Sequence, residues 1–569
     1  MRHTGNSKYK SHISLLVSGV AMLALAACST RHELVETQPN SAEDVATEDV
    51  IVTGSRTSNE IAGERDRSMH GVRAKLQGHI SSFTTSRRFG VPPTPSRENY
   101  AHYQKNPISA VADDPVSTFS IDVDTGSYAL VRDRLNQGML PNPDAVRTEE
   151  LINYFSYDYP QPTDNTPFSV TTDTMVTPWN QDTYLLRIGL QGKKMIEETR
   201  PAANLVLLLD VSGSMAAPDK LPLLTKSLSF MAGQLRTDDR VTIVVYAGAA
   251  GLVLDVTKGS DVTKIRNALA GLGAGGSTAG GAGIKLAYAK AKEAFIEGGI
   301  NRILIATDGD FNVGVSGVDE LKAIVGANRE SGISLSTLGF GDGNYNDHLM
   351  EQIADVGNGN YAYIDNFGEA KKVLGDQLSS TIYTIAKDVK IQVEFNPGVV
   401  AEYRLIGYEN RVLADEDFAN DKVDAGEIGA GHSVTALYEI ALAGGRGIRL
   451  PVHRYTSESK DGGSKLSELG LVKLRYKEPD GDTSKLISQV MLKNILSRHS
   501  APVPGLQHAA AVAAYGQLLS GNKYMGDYSF DDLIKQAKRG NRNNSQSRAE
   551  FITLLESAEA LKEMQIAGR

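Results

Sequence analysis

Short unbroken runs of aliphatic residues alternate with segments of helical spacing through the middle of the chain. The predicted strands are residues 204–210, 241–246, 252–256, 301–308, 333–340 and 360–364, and the clearest aliphatic runs lie in 204–210 and 301–308. Helical spacing of apolar residues is found in residues 221–235, 262–272, 283–296, 318–329 and 347–356. Unbroken runs are typical of parallel strands buried on both faces, and their alternation with helices predicts a doubly wound α/β fold. We place this Rossmann-like domain at residues 201–380.

A second pattern, alternation of polar and apolar residues with a period of two, lies on both sides of this domain. It is found in residues 168–191 and again in residues 388–395, 399–408, 433–442 and 471–476. This pattern predicts antiparallel strands with one buried face. Because the same character recurs on both sides, we expect the parallel domain to be inserted in a β-sandwich. Residues 101–200 would form the N-terminal flanking region, with helices first and strands after them.

The last part of the chain, residues 381–569, is predicted to combine the remaining sandwich strands with a C-terminal helical region. From residue 485 to residue 564 we expect mostly helix. Its first helix would carry four apolar residues on one face: Leu486, Val490, Leu492 and Ile495. Residues 509–519 and 551–561 have helical spacing too and predict further helices.

The N-terminal residues 1–27 have the layout of a secretory signal peptide. A basic start containing Arg2, Lys8 and Lys10 precedes an apolar segment that is too short for a comfortable membrane span. Residues 28–100 are polar and lack sustained periodicity. We therefore expect them to form a flexible tether between a membrane and the folded body.

The end of the signal peptide resembles a bacterial lipobox. The segment Leu25-Ala26-Ala27-Cys28 contains the only cysteine of the sequence, so Cys28 has no disulfide partner here. The resemblance implies cleavage before Cys28 and lipidation of that residue, and Ser29 after it implies an outer-membrane address. We expect a cell-envelope, outer-membrane lipoprotein that faces the periplasm and reaches the membrane through its lipid anchor. An ordinary signal peptide with an incidental cysteine is the alternative.

Charge and composition argue against one class of partner. The chain has 569 residues and a net charge of −9, and no cluster of Lys and Arg stands beside aromatic residues. Such a basic cluster is the electrostatic footprint of a nucleic-acid-binding protein. We therefore do not expect nucleic acid as a partner.

Oxygen-bearing side chains collect where two of the aliphatic runs end. Asp210, Ser212 and Ser214 follow the first run, Asp308 ends a later run, and Thr278 lies in the glycine-rich segment between them. Ligands collect at the carboxyl ends of parallel strands, so we expect these side chains to share one crevice that faces solvent. An all-oxygen set without imidazole or thiolate suits a divalent cation. Mg²⁺ is the first expectation, with Mn²⁺ or Ca²⁺ as alternatives, whereas zinc would not fit.

The order and spacing of Asp-x-Ser-x-Ser, a distant Thr and a later Asp-Gly resemble the metal-ion-dependent adhesion site of von Willebrand factor type A domains. Carried over by position, the metal ligands would be Asp210, Ser212, Ser214, Thr278 and Asp308. The resemblance implies that the hydroxyls bind the cation directly. It also implies that one coordination position stays open for an acidic side chain of a protein partner. The two carboxylates would formally balance a divalent charge.

The order of regions along the chain resembles that of the YfbK-type family of bacterial envelope proteins. Residues 117–124, 307–314 and 522–527 carry this likeness. The resemblance implies an N-terminal flanking segment, a von Willebrand type A domain and a C-terminal region. It implies an architecture more than an activity.

Motifs of common catalytic sites do not occur in the sequence. It contains no His-Glu-x-x-His, no Walker A and no Gly-x-Ser-x-Gly motif. Asp122 and Asp124 resemble part of a phosphatase motif, but the following threonine stands one residue too early. We therefore predict a non-enzymatic, metal-dependent protein-binding module. Two alternatives stay open: an envelope assembly or structural factor whose metal is only structural, and a metal-assisted hydrolase.

Overall fold

The computed structural model describes residues 98–121, 124–195, 200–277, 280–309, 318–343, 345–451, 465–497, 503–540 and 546–567. These residues all belong to one compact unit, Gly90–Arg569. Strands are numbered β1 to β16 and α-helices α1 to α12 in chain order. The expected signal peptide, Cys28 and nearly all of the expected tether lie outside the described residues.

A six-stranded sheet forms the centre of the α/β domain. Its strands are β5 (Ala203–Asp210), β6 (Arg240–Tyr246), β7 (Ala250–Lys258), β8 (Ile300–Thr307), β9 (Ser334–Phe340) and β10 (Tyr361–Ile364). They lie in the order β10-β9-β8-β5-β6-β7, and of these strands only β7 is antiparallel to its neighbour. Every residue of β5 and β8 is buried, including the polar Asn204, Asn301 and Arg302, as is expected of parallel strands covered on both faces.

Helices cover both faces of this sheet. They are α3 (Leu221–Met231), α4 (Val262–Ala270), α5 (Gly280–Glu293), α6 (Val318–Arg329), α7 (Asp347–Val356), α8 (Phe367–Lys371) and α9 (Leu378–Ile382). Side chains of β5 alternate between two cores. Leu205, Leu207 and Leu209 pack in a core with α3, α4 and α8, while Val206 and Leu208 pack in another core with α5, α6 and α7. This alternation confirms the doubly wound α/β fold.

Two antiparallel sheets outside this domain share one hydrophobic core. The first contains β1 (Ser109–Ala110), β3 (Phe168–Thr177), β4 (Asn180–Gly192), β12 (Val400–Ile406) and β14 (Ser433–Leu442). The second contains β2 (Val116–Ser120), β11 (Thr384–Phe395), β13 (Gly426–Gly429), β15 (Glu468–Lys477) and β16 (Lys485–Leu492). Strand β4 precedes the α/β domain and pairs with β14, which follows it, so that Leu186 lies opposite Tyr438. Strand β2 pairs with β11 in the same way. The predicted insertion of the α/β domain in a β-sandwich is therefore confirmed.

Helices from both ends of the described chain share a third core. They are α1 (Gly126–Asn136), α2 (Thr148–Asn153), α10 (Pro504–Leu519), α11 (Phe530–Gly540) and α12 (Gln546–Ala567). Buried residues of this core include Leu151 from α2, Val512 from α10 and Phe551 from α12. The C-terminal helical region is confirmed, and it packs against the N-terminal flanking region.

The predicted helical region does not begin at residue 485, because its first residues form a strand. Residues Lys485–Leu492 form β16, an edge strand that pairs with β15 through Ile487 opposite Leu474. Leu486, Val490 and Leu492 were assigned to the apolar face of a helix, and they instead project from one face of the strand and are exposed. The spacing of Leu486 and Val490 fits a helix as well as alternate positions of a strand, and short runs of this kind are ambiguous.

Buried ion pairs join the α/β domain to the regions around it. Arg147, just before α2, donates hydrogen bonds to Asp347 at the start of α7. Arg132 of α1 donates to Asp365, and also to Glu369 of α8 at 2.8 Å. Each of these side chains is almost completely buried. The α/β domain is thus connected to its surroundings by charged contacts that exclude water as well as by its two chain connections.

Candidate metal centre

The candidate carboxylates lie at the same edge of the parallel sheet. Asp210 is the last residue of β5, and Asp308 directly follows β8, which is the parallel neighbour of β5. Both aspartates have no exposed surface. Burial raises the pKa of the Asp210 carboxyl above its usual value, and the nearby charge of Asp308 raises it further. The structure therefore brings two acidic groups together in a place where neither is solvated.

The Asp210 side chain is held by its neighbours on both strands. Its Oδ1 accepts a hydrogen bond from the Ser212 backbone N–H at 2.9 Å, and its Oδ2 accepts one from the Thr307 hydroxyl at 3.0 Å. The Thr307 hydroxyl in turn accepts a hydrogen bond from the Gly309 N–H at 3.2 Å. Gly309 has a φ of +85°, and a Cβ there would overlap the backbone of Asn346. These contacts orient Asp210 before any ligand arrives.

The two serines of the Asp-x-Ser-x-Ser segment lie beside this pair. The Ser212 and Ser214 hydroxyl oxygens are 2.9 Å apart, in a short 3-10 turn (Gly213–Ala216) that follows β5. Ser212 is buried, whereas Ser214 is exposed. The expectation of a solvent-facing strand end was therefore wrong for the two carboxylates, which are buried. Ser214 is the ligand candidate that faces solvent.

The glycine-rich segment is hydrogen-bonded to the same turn. The Gly213 N–H donates to the Gly276 carbonyl at 3.0 Å, and the Gly275 N–H donates to the Val211 carbonyl at 2.8 Å. Thr278, the fifth predicted ligand, lies outside the described residues, as do residues 310–317. Within the described residues, the structure thus brings together Asp210, Ser212, Ser214 and Asp308.

A lysine that the sequence analysis did not count as part of the site lies inside it. Lys220, at the end of the loop before α3, donates from Nζ to Asp308 Oδ2 at 2.9 Å, and its side chain is only 10% exposed. Its methylene groups lie against Gly341, which follows β9 and has a φ of +67°. A side chain at Gly341 would displace Lys220. A lysine before a helix is normally a surface residue. The sequence feature that could have indicated the buried position of Lys220 is Gly341, because a larger residue there would leave no room for the lysine side chain.

The donor set decides which ligand the site suits. Among the described residues, no group of three or more His, Cys, Asp or Glu side chains is arranged to hold a metal ion. A cation here would therefore depend on hydroxyl oxygens as well as on the two carboxylates. Such an all-oxygen set fits Mg²⁺, Mn²⁺ or Ca²⁺ and offers nothing to a metal that prefers nitrogen or sulfur.

Comparisons with known proteins agree with this fold. Models of three families match consecutive parts of the chain: von Willebrand factor over residues 94–187, the von Willebrand factor type A domain over residues 204–376, and the C-terminal part of "Uncharacterized protein YfbK" over residues 380–561. The parallel sheet and its strand-end aspartates thus lie in a von Willebrand type A domain. Domains of this class are protein-interaction modules, and the chain carries one.

Individual relatives identify the protein family to which the chain belongs. The protein "Uncharacterized protein YfbK" of Escherichia coli (strain K12) is 45% identical over 479 residues, which cover 83% of this chain and 82% of that one. The chain therefore belongs to the YfbK family. "Uncharacterized protein sll0103" of Synechocystis is 32% identical over 187 residues, and the match spans 43% of its length. The solved "von Willebrand factor type A from Catenulispora acidiphila" is 15% identical, with a TM-score of 0.39, 68% of this chain covered and 89% of that one.

Proposed function

We propose that this protein is a non-enzymatic, divalent-metal-dependent protein-binding module of a cell-envelope lipoprotein. The observation that carries the proposal is the pair of fully buried aspartates, Asp210 and Asp308, beside the exposed hydroxyl of Ser214. Two adjacent buried carboxylates repel each other and gain stability from a cation. Asp210, Ser212, Ser214 and Asp308 would hold Mg²⁺, together with Thr278 if it lies as the family resemblance implies.

The charges around the site support an acidic partner. Among the described residues of the site, Asp210 and Asp308 contribute two negative charges and Lys220 one positive charge, so these three side chains supply a net charge of about −1. A bound divalent ion changes this to about +1. The metal-loaded site would then attract a carboxylate of a protein partner. Ser214 marks the side from which that carboxylate would approach.

The hydrogen bonds of the serines support a binding role over a catalytic one. A serine nucleophile needs a neighbouring base that can take up its proton. The Ser212 hydroxyl instead lies 2.9 Å from the Ser214 hydroxyl, which is a poor proton acceptor, and its carboxylate neighbour Asp210 is one of the groups that would hold the cation. We therefore propose that the site chelates a cation and a partner side chain and does not activate either serine.

The envelope location rests on the N-terminal sequence. Leu25-Ala26-Ala27-Cys28 supports lipidation of Cys28, and Ser29 supports retention at the outer membrane facing the periplasm. Within the part of the chain that the structure describes, no helix is long and apolar enough to cross a bilayer. Membrane fractionation of the full chain against Cys28→Ser tests this part: the wild type should sediment with outer membranes and Cys28→Ser should be released.

The binding proposal is tested by calorimetry and by partner capture. Mg²⁺ should bind the wild type, and Ser214→Ala should weaken it by roughly tenfold, about 1.4 kcal/mol, because one direct ligand is lost. Ser260→Ala is the matched control, since Ser260 is also exposed but lies near the opposite end of the sheet, beyond β7. Crosslinked pulldown from membranes should recover a partner with Mg²⁺ but not with EDTA. Equal recovery in EDTA would contradict the proposal.

A second candidate function, a structural or assembly factor of the envelope, is favoured by one observation. Leu486, Val490 and Leu492 are exposed on one face of β16, with exposed fractions of 55%, 45% and 48%. Apolar side chains on an edge strand mark a surface suited to protein contacts. If this role is correct, partner capture should persist in EDTA and be lost in Val490→Lys. Ser488→Lys, on the same face of the same strand, is its control.

A further inference from the structure

A cavity lies at the end of the parallel sheet opposite to the candidate metal centre. It has a volume of about 230 Å³ and opens where the first residues of β8 and β9 face β11 and β13. Polar side chains that line it are Arg302, Ser334, Asn358, Thr384, Lys387 and Glu427. Ordinary ligand pockets measure roughly 300–1,000 Å³, so this cavity suits only a small molecule or a single chemical group.

Arg302 is a buried cation without a carboxylate counter-ion. It is 2% exposed, and among the described residues no Asp or Glu oxygen lies within ion-pair distance of its guanidinium. Its Nη1 donates to the Ser336 hydroxyl at 2.7 Å, and its Nη2 makes a long contact of 3.4 Å with the Thr384 hydroxyl. Its Nε is buried and has no hydrogen-bond partner. Burial lowers the pKa of Arg302 to about 10, so the group is still a cation at neutral pH.

Glu427 of β13 lines the same cavity and is the acidic group that acts on Arg302, but it makes no direct ion-pair contact with the guanidinium. Its Oε1 is also buried without a hydrogen-bond partner. Burial raises the pKa of the Glu427 carboxyl well above its usual value, and the charges of Asp424 and Asp388 raise it further. In its protonated form this group donates a hydrogen bond and carries no negative charge.

The other charged groups around the cavity add to its positive character. Lys387 of β11 is partly buried at the cavity wall, and no ion pair joins it to a carboxylate in the described part of the chain. Arg329 also lines the cavity, and its charge is matched by Asp424 at 2.6 Å. Asp480 is the acidic residue at the rim, and it is exposed to water. Apart from Glu427, the described residues in the buried part of the cavity therefore offer donors and positive charge.

We propose that this cavity is a binding site for a small oxyanion, a carboxylate or phosphoryl group, with Arg302 as its principal ligand. The unpartnered Nε of Arg302 would donate to the anion, Glu427 would donate from its protonated oxygen, and Lys387 would add a second positive charge. Charge-assisted hydrogen bonds of a guanidinium to an oxyanion are among the strongest in proteins, and they would satisfy a buried donor that otherwise lacks a partner. The site is separate from the candidate metal centre and does not depend on a bound metal.

The test is calorimetry of the full chain with inorganic phosphate, sulfate and acetate, with chloride at equal ionic strength as the reference. The wild type should bind at least one of these oxyanions in preference to chloride. Tighter binding of phosphate and sulfate would assign a phosphoryl ligand, and tighter binding of acetate would assign a carboxylate. Arg302→Gln should weaken binding by at least about tenfold, because a charge-assisted contact is lost.

Further variants keep the test decisive if Arg302→Gln does not fold. Lys387→Ala, at a partly exposed position, should weaken binding by about threefold, and Lys258→Ala, an exposed lysine at the same end of the sheet, should not. Glu427→Gln should retain binding at neutral pH, since an amide can donate in place of the protonated acid. Absence of wild-type binding at tens of millimolar probe would overturn the proposal. An unchanged oxyanion affinity in folded Lys387→Ala would also overturn it, whether or not Arg302→Gln folds.

Discussion

The two ends of strand β8 carry opposite kinds of buried charge. At the carboxyl end, Asp308 and its neighbour Asp210 are buried with Lys220 as a counter-ion, so acidic groups are in excess. At the amino end, Arg302 is buried beside Glu427, whose raised pKa favours its neutral form. Each end therefore lacks the charge that the other has in excess. One buried strand thus positions acidic groups at one end and a basic group at the other without the two neutralising each other.

The largest effect is expected from Asp308→Asn. Removing one of two ligand charges should weaken Mg²⁺ binding by roughly 100-fold, or about 2.7 kcal/mol, while the amide preserves the shape of the side chain. Calorimetry with Mg²⁺ measures this change. Sulfate binding at the other end should be unchanged in the same variant and serves as its control. A Mg²⁺ affinity within threefold of the wild type would contradict the role given to Asp308.

A smaller and opposite effect is expected from Lys220→Met. Its ammonium repels a cation at Asp308, so Mg²⁺ should bind about tenfold more tightly without it, a gain of about 1.4 kcal/mol. In EDTA the same variant should unfold more easily, by about 3 kcal/mol, because a buried carboxylate loses its partner. Calorimetry and urea unfolding measure the two effects. Lys264→Met, at an exposed lysine of α4, should change neither. Weaker Mg²⁺ binding in Lys220→Met would mean that the lysine supports the site.

A pH dependence distinguishes the amino end of β8 from the carboxyl end. The pKa of the Glu427 carboxyl is raised in the folded protein. The carboxyl therefore stays neutral above the pH at which an ordinary glutamate ionises, and it loses its proton only near its own raised pKa. Sulfate affinity should therefore be highest below that value and fall by at least about threefold as the pH rises through it, since the new carboxylate repels the anion. The stability of the ligand-free fold should fall as the pH rises from the usual carboxyl pKa to the raised one, because over that window the unfolded chain ionises at Glu427 and the folded chain does not.

Glu427→Gln provides the control for this pH dependence. Its sulfate affinity should stay constant over the same range, because the amide does not ionise. Arg302, Asp424, Asp388 and Asp355 are the other charged groups that act on Glu427. An equal loss of affinity in Glu427→Gln would assign the titration to one of the carboxylates among them.

The smallest effect is expected from Mg²⁺ binding at one end of β8 on the sulfate affinity at the other end. A rise of about 3.3 Å per strand residue puts Arg302 and Asp308 roughly 20 Å apart, about twice the screening length at physiological salt. Saturating Mg²⁺ should therefore change the sulfate affinity by less than about twofold. A larger change in calorimetry would show that the two ends of β8 communicate through the sheet.

The sequence predicts the parallel domain well because its signals are local. The run 204–210 has five consecutive aliphatic residues between Asn204 and Asp210, which predicts a strand buried on both faces, and the aspartate that ends it is placed by the strand itself. Insertion of the domain in the sandwich was also predictable, since period-two alternation resumes after it. These features depend on residues that are close together in the sequence.

Other features could not be predicted because they depend on distant residues. Lys220 reaches Asp308 only because Gly341 leaves room for its side chain, and no local pattern expresses that relation. Arg302 carried a signal that was overlooked, namely a charged residue within an otherwise aliphatic strand. Strand β16 was mistaken for a helix because its apolar residues face outward at the edge of a sheet, where burial does not impose a clear period.

The pairing of β4 with β14 has a consequence for how this protein is made. Strand β4 ends at Gly192 and β14 begins at Ser433. About 240 residues must therefore leave the ribosome after β4 before it can pair with β14. At bacterial and eukaryotic elongation rates of about 5–20 residues per second, that interval lasts roughly 10–50 s. Strand β14 follows the whole α/β domain in the sequence, so the pairing of β4 with β14 can form only after that domain has been synthesised.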